Sequence, residues 1–98
     1  MEEAIRAFRL DRKDNVATVI QPVAAGSVVR WECGDQTRDV AAVTAVPRFH
    51  KVAISDLEKG ARVIKYGQTI GVATCEIKAG SHVHTQNCIG TAVEELKA

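Results

Sequence analysis

Three times in 98 residues the chain repeats an apolar residue, two variable positions, a glycine, two more variable positions and a valine. The copies are Val23-Ala24-Ala25-Gly26-Ser27-Val28-Val29, Leu57-Glu58-Lys59-Gly60-Ala61-Arg62-Val63 and Ile77-Lys78-Ala79-Gly80-Ser81-His82-Val83. A glycine just ahead of a β-branched run supplies a turn backbone that residues with a Cβ reach only under strain, and a strand then leaves at once. The pattern predicts one tight turn used three times, each feeding an outgoing strand. In the middle copy Ser55-Asp56-Leu57-Glu58 also matches a capping box, which predicts one turn of helix there.

The choice of apolar residue points the same way. Val and Ile together number 20 against 3 Leu, and β-branched side chains fit a pleated sheet better than a helix. Strands are expected within Asn15 to Pro22, Ser27 to Glu32, Thr37 to Val46, His50 to Ile54, Arg62 to Lys65, Thr69 to Glu76 and Ser81 to Thr85. Met1 to Leu10 reads equally as strand or helix, and Thr91 to Ala98 reads as a short terminal helix capped by Thr91, with Glu94 three residues on. Short strands with such turns must pair across long stretches of sequence, so the expectation is one mostly β domain over residues 1–98, convoluted rather than meandering.

Composition removes several classes of function. The 13 basic and 12 acidic residues are interspersed, which leaves no electrostatic footprint for nucleic acid. Apolar runs such as Val40-Ala41-Ala42-Val43 fall far short of the roughly 20 residues that cross a bilayer. Met1-Glu2-Glu3-Ala4-Ile5-Arg6 lacks a basic stretch and apolar core of a secretory signal, so the expected address is the cytoplasm. Cys33, Cys75 and Cys88 fit neither a disulfide framework nor paired zinc knuckles; they read as reduced thiols in or near the core, a catalytic thiol being the lesser alternative.

His82-Val83-His84 is the sharpest chemical feature. On a strand the two imidazoles share a face, with Cβ atoms roughly 7 Å apart, and both can converge on one ion. Neutral imidazoles suit Zn and Fe(II), but two of them need one or two further ligands, usually carboxylates, and none is adjacent. The alternative is two half-exposed histidines on a sheet edge. His50 and Lys51 are neighbours on a strand and must face opposite sides, so at least one meets solvent or ligand. Lys65, flanked by Val63, Ile64 and Tyr66, either extends its ammonium to water or meets a carboxylate-bearing substrate. Nucleophile elbows, phosphate loops, dinucleotide fingerprints and paired glycosidase acids are missing.

Pro47-Arg48-Phe49-His50-Lys51-Val52-Ala53-Ile54 through Gly60, then Val63 to Thr74, then Ile77-Lys78-Ala79-Gly80-Ser81-His82-Val83-His84-Thr85-Gln86-Asn87 together resemble the SAF-type N-terminal domain of the altronate and galactarate dehydratase family. The same domain occurs as the small subunit of sulfolactate sulfo-lyase. The likeness is dense over 47–87, is weak from Trp31 to Ala45, and extends upstream to Leu10-Asp11-Arg12-Lys13-Asp14-Asn15-Val16-Ala17. It implies a small β-clip fold of short strands with one or two helical turns.

The resemblance also implies chemistry. A sugar acid loses water, or a sulfonated hydroxy acid loses sulfite, after a proton is removed beside the carboxylate, with divalent iron or a related metal implicated. Such a reaction needs a base, a Lewis acid and cations that hold the carboxylate. On that basis His50, His82 and His84 are the candidate catalytic residues and His82 and His84 the metal ligands. Lys51, Lys65 and Asn87 are the candidate substrate contacts. Where the family pattern continues with another histidine this chain has Gln86, which cannot bind iron comparably, and Phe49 stands in place of a small residue.

The chain ends at Ala98 without the large catalytic region of fused family members, so the expectation is a small subunit, inactive alone. It would complete an active site with a separate large catalytic subunit and a sugar-acid substrate, and so small a β domain also favours self-association. Two alternatives accompany this: the alpha subunit of a sulfolactate sulfo-lyase, or a non-catalytic SAF module that binds a ligand or acts like a chaperone.

Overall fold

A computed structural model describes residues 4–90, and over that span the chain is built from short strands and turns, with no helix among the described residues. The strands are β1 (Ile5–Phe8), β2 (Val16–Val19), β3 (Val28–Cys33), β4 (Gln36–Ala41), β5 (Lys51–Ala53), β6 (Arg62–Lys65), β7 (Gln68–Ala73), β8 (His82–Val83) and β9 (Cys88–Gly90). Six form a sheet in the order β4-β3-β1-β2-β5-β8, and three form a second in the order β6-β7-β9. β1 and β3 run parallel, and the remaining pairs are antiparallel. The mostly β expectation holds, and the ambiguous N-terminal stretch contributes strand β1. The expected terminal helix at 91–98 lies outside the described residues.

The repeated turn is used four times. In each, an i→i+3 backbone bond closes four residues: Ser27 donates to Ala24, His50 to Pro47, Ala61 to Glu58 and Ser81 to Lys78, at 2.9–3.0 Å. The third residue has positive φ, +90° at Gly26, +68° at Phe49, +88° at Gly60 and +93° at Gly80, as a type II turn requires. The apolar residue ahead of each turn pairs with its counterpart in another copy, Val23 with Val46 and Leu57 with Ile77. The copy at Val46-Pro47-Arg48-Phe49-His50-Lys51-Val52 escapes the glycine pattern because Phe49 occupies the glycine position; only the six-residue spacing from Val46 to Val52 marks it. The one helical turn expected at Ser55–Glu58 is corrected to this β-turn geometry. There Leu57 bridges to Ile77, and the Asp56 carboxylate accepts the Ala79 amide at 2.9 Å instead of capping a helix.

Each clasp sits in its own core. Val23 and Val46 are buried with Ala7, Ala17, Val19, Val29, Ala42 and Val52, whereas Leu57 and Ile77 are buried with Val16, Ala53, Val63, Ala73 and Val83. β2 and β5 contribute to both cores, Ala17, Val19 and Val52 to the first and Val16 and Ala53 to the second, which is why adjacent residues such as Val16-Ala17 and Val52-Ala53 are apolar on both faces. The second core is tied to the large sheet by Asp14 and Asn15. The buried Asp14 carboxylate accepts amides from Asp11, Tyr66 and Gly67 at 2.8–3.1 Å. Asn15 accepts from the Ile64 amide at 2.8 Å and donates to the Arg62 carbonyl at 2.9 Å. The β6–β7 hairpin, which carries Lys65, is thereby fixed against β2.

Candidate metal centre

His50 is the last residue of the Phe49 turn, and Lys51 opens β5. β5 pairs with β8 so that Lys51 lies opposite Val83 and Val52 opposite His82; the same register sets His50 opposite His84. Cross-strand and diagonal neighbours in an antiparallel pair are within reach of aromatic rings. The ring centroids stand 4.4 Å apart for His50 and His84, 5.0 Å for His50 and His82, and 5.6 Å for His82 and His84, the last pair nearly parallel at 11°. One ring nitrogen from each of the three lies within 4.8 Å of those of the other two.

β8 is shorter than the sequence predicts. The chain leaves it at His84 and turns, with the Asn87 amide donating to the His84 carbonyl at 3.1 Å. The Asn87 side chain accepts the His84 amide at 3.0 Å and donates to the His82 carbonyl at 2.8 Å. The common direction of His82 and His84 therefore rests on this asparagine-closed turn, and not on strand alternation beyond Val83. Gln86 folds back within the turn, its amide nitrogen Nε2 3.1 Å from His82 Nδ1 and placed to donate to it. The His82 amide donates to Thr44 Oγ1 at 3.0 Å, and Thr44 is a participant that nothing in the sequence singled out.

His50 and His82 are half-buried and His84 is exposed, so the cluster opens to solvent at one side. His82 Nε2 is 2.8 Å from His50 Nδ1, so a single proton is shared between these two atoms. Burial first, and then the charges of His50, His84 and Lys51, hold His82 below the ordinary histidine range. Three imidazole nitrogens are borderline donors of the kind Zn and Fe(II) accept, and the exposed side leaves room for further ligands. The donor set fits such an ion, with His50 added to the two histidines named from the sequence.

On the other side of β5 a cleft of about 180 Å³ is lined by Lys51, Ile70, His84, Thr85, Cys88 and Gly90. His84 borders both the histidine cluster and this cleft, which joins the two. No acidic residue lines the cleft, and Lys51 has no ion pair among the described residues. Burial, and then the charge of Lys65, lower its pKa. Lys65 sits 5.0 Å above the Tyr66 ring. Cys33, Cys75 and Cys88 are free thiols. Burial raises the Cys88 thiol pKa while Lys51 pulls it the other way. Cys88 as a wall of the cleft went unread in the sequence because β9 has only three residues and little period to detect.

Among the described residues an all-strand unit of clasped turns, with three imidazoles gathered at one strand end beside a cleft that Lys51 lines, defines a small β domain with a metal-competent edge. The chain belongs to the SAF domain family of altronate/galactarate dehydratases, whose profile matches residues 5–96. It is 43% identical over 80 residues to altronate dehydratase of Escherichia coli (strain K12), a match covering 82% of this chain and 15% of that enzyme. It is 38% identical over 80 residues to the (2R)-sulfolactate sulfo-lyase subunit alpha of Chromohalobacter salexigens, covering 79% of this chain and 85% of that subunit. The corresponding subunit of Paracoccus pantotrophus is 46% identical over 43 residues. The chain therefore spans a small part of the dehydratase but most of the sulfo-lyase subunit. No helix among the described residues is long and apolar enough to cross a membrane.

Proposed function

We propose that this chain is the small subunit of a sugar-acid dehydratase of the altronate/galactarate type. It would supply a three-histidine metal half-site and an anion-binding cleft to an active site that a separate large catalytic polypeptide completes. The observation that carries the reading is the convergence of His50, His82 and His84 beside a cleft that, among the described residues, is lined by Lys51 and by no carboxylate. A divalent ion, Fe(II) by family analogy, would supply Lewis-acid polarisation of a substrate oxygen when bound. His50, His82 and His84 would hold it, and the carboxylate ligands and remaining acid–base groups would come from the partner. Lys51, with Lys65 behind it, attracts the substrate carboxylate into the cleft. Asn87, whose amide is occupied by the main chain at His82 and His84, keeps the two imidazoles together rather than meeting substrate. Three free thiols suit a reducing cytoplasm.

A second reading has its own support: the match covers 85% of a sulfo-lyase alpha subunit, against 15% of the dehydratase. A sulfonate and a carboxylate are both anions that the lysine-lined cleft attracts, and the two readings share the histidine cluster.

Reconstitution with a co-purifying large polypeptide tests both. Turnover of altronate, galactarate or sulfolactate is expected only from the mixture, with the active substrate choosing between the readings. His82→Ala and His84→Ala should assemble normally and lose turnover. Activity of the chain alone, or full activity of both variants in the complex, defeats the half-site proposal.

A further inference from the structure

Of the turns that share one design in this fold, three place glycine at the position of positive φ, Gly26, Gly60 and Gly80, and one places Phe49 there at φ +68°. Left-handed backbone is strained for any residue with a Cβ, and strain kept where glycine would relieve it points to a use outside the turn itself. The Phe49 side chain is 61% exposed and joins neither core, so the fold gains no burial from it. Arg48 lies over the Phe49 ring, 4.4 Å from guanidinium carbon to ring centroid, and makes no ion pair among the described residues. The Phe49 amide donates to the Val19 carbonyl at 2.8 Å, and Ile20, the residue after Val19, is exposed as well. His50 follows Phe49 directly, so this apolar and cationic patch adjoins the three-histidine cluster.

We propose that Phe49, with Arg48 over its ring, is the anchor by which this chain docks the large polypeptide that completes its metal site. Phe49 enters an apolar pocket of that partner, and carboxylates at the pocket's rim take Arg48. The inference rests on the small-subunit reading given above. Binding energy at protein interfaces concentrates on a few aromatic and arginine side chains, and an aromatic ring already covered by a guanidinium presents both at once.

Position and charge select this occupant. Among the described residues the histidine cluster includes no carboxylate, so a polypeptide that brings acidic ligands to an ion at His50 also approaches the residue beside it. What this chain offers there is apolar or positive: Ile20 and Phe49, then Arg48 and Lys51, neither cation with an acidic partner among the described residues. A partner surface that carries carboxylates for the ion complements those charges. A two-fold pairing of the patch on itself brings Arg48 and Lys51 toward their own copies, like charge against like.

The test uses the full chain and the large polypeptide that co-purifies with it, separated and remixed, with the dissociation constant read by surface plasmon resonance. Phe49→Gly puts the residue of the other three turns in this one and should weaken association about 30-fold or more, the loss expected of an interface anchor. Phe49→Tyr keeps the ring and should bind close to wild type. Arg48→Ala should weaken association less and flatten its decline with added salt. The affinity of each variant alone for zinc(II), and turnover at saturating large polypeptide, should match wild type, which separates an anchor from a residue that positions His50. Equal association by Phe49→Gly and wild type, or a parallel loss of zinc affinity, overturns the assignment and leaves the small-subunit reading intact. A dimer of the chain alone that Phe49→Gly dissociates overturns it too, because a second copy then occupies the patch. No association of the wild-type chain with a large polypeptide removes both.

Discussion

His50 Nδ1 and His82 Nε2 face each other at 2.8 Å, and that distance accommodates one proton, not two. Full protonation of the pair in this geometry would set two donors against each other. His82 is accordingly held below its ordinary value, by burial first and by the charge of His50 next. The unfolded chain, where a histidine titrates near about 6.5, then binds more protons than the folded chain over the interval between the depressed value and about 6.5. Stability rises with pH across that interval and is lost as pH falls through it. Urea denaturation of the metal-free chain should show a midpoint that falls between pH 7.5 and pH 5, and His82→Asn should flatten the fall. An unchanged slope in that variant would show that His82 is not its source.

Lys51 presents the opposite balance of stability and binding. Its ammonium is half-buried, has no acidic partner among the described residues and is disfavoured by burial and by Lys65. Such a charge is held at a cost to folding, a trade common at binding sites. Lys51→Met should leave stability unchanged or raise it by up to about 1 kcal/mol. In the reconstituted enzyme it should raise KM for the acid substrate more than it lowers kcat. A large loss of stability with KM unchanged would make Lys51 a structural residue.

The turn at Phe49 inverts an ordinary substitution rule. At negative φ an exposed Ala is better than Gly by about 0.5–1 kcal/mol, because glycine loses more backbone entropy on folding. Phe49 has φ +68° with its side chain largely in solvent, stacked by Arg48 at 4.4 Å. Left-handed backbone costs a residue with a Cβ about 1–2 kcal/mol. Phe49→Gly should therefore be more stable than Phe49→Ala, by up to about 1 kcal/mol. Thermal denaturation of the two variants compares them directly, and Ala above Gly would mean the turn relaxes to another conformation.

Legibility in the sequence followed the physical origin of each feature. Three turns were readable because glycine is the residue that positive φ selects, and the fourth was hidden by Phe49, whose strain is visible only in the backbone. Strand positions followed from β-branched runs, while the division into two cores was not readable, since Val16-Ala17 and Val52-Ala53 are apolar pairs whose two members enter different cores. His82 and His84 were paired correctly in direction but for an incomplete reason, because an asparagine side chain rather than a strand carries His84. His50 joined them through the pairing of β5 with β8, a contact 32 residues long that local pattern does not encode. The burial of Asp14 has no local signature, because an aspartate in the polar run Asp11-Arg12-Lys13-Asp14 looks like a solvated surface charge.

Glycine conformation alone does not rank the repeat positions, and Gly80 separates from the others by contact. Gly26 and Gly60 have open space where a Cβ would project, so alanine there meets only backbone strain. At Gly80 the added Cβ would run into the Ala41 carbonyl oxygen, and the Val43 amide, whose donor bond goes to the Gly80 carbonyl, lies 3.3 Å away. The Gly80 turn crosses the end of β4 here and feeds β8, so its displacement moves His82 as well. Gly26→Ala and Gly60→Ala should each cost about 1–2 kcal/mol, the left-handed penalty. Gly80→Ala should cost more, and it alone of the three should weaken zinc binding measured on the folded fraction. Equal losses in all three, with zinc affinity unchanged, would show that the Ala41 contact relaxes and that the turn does not position His82.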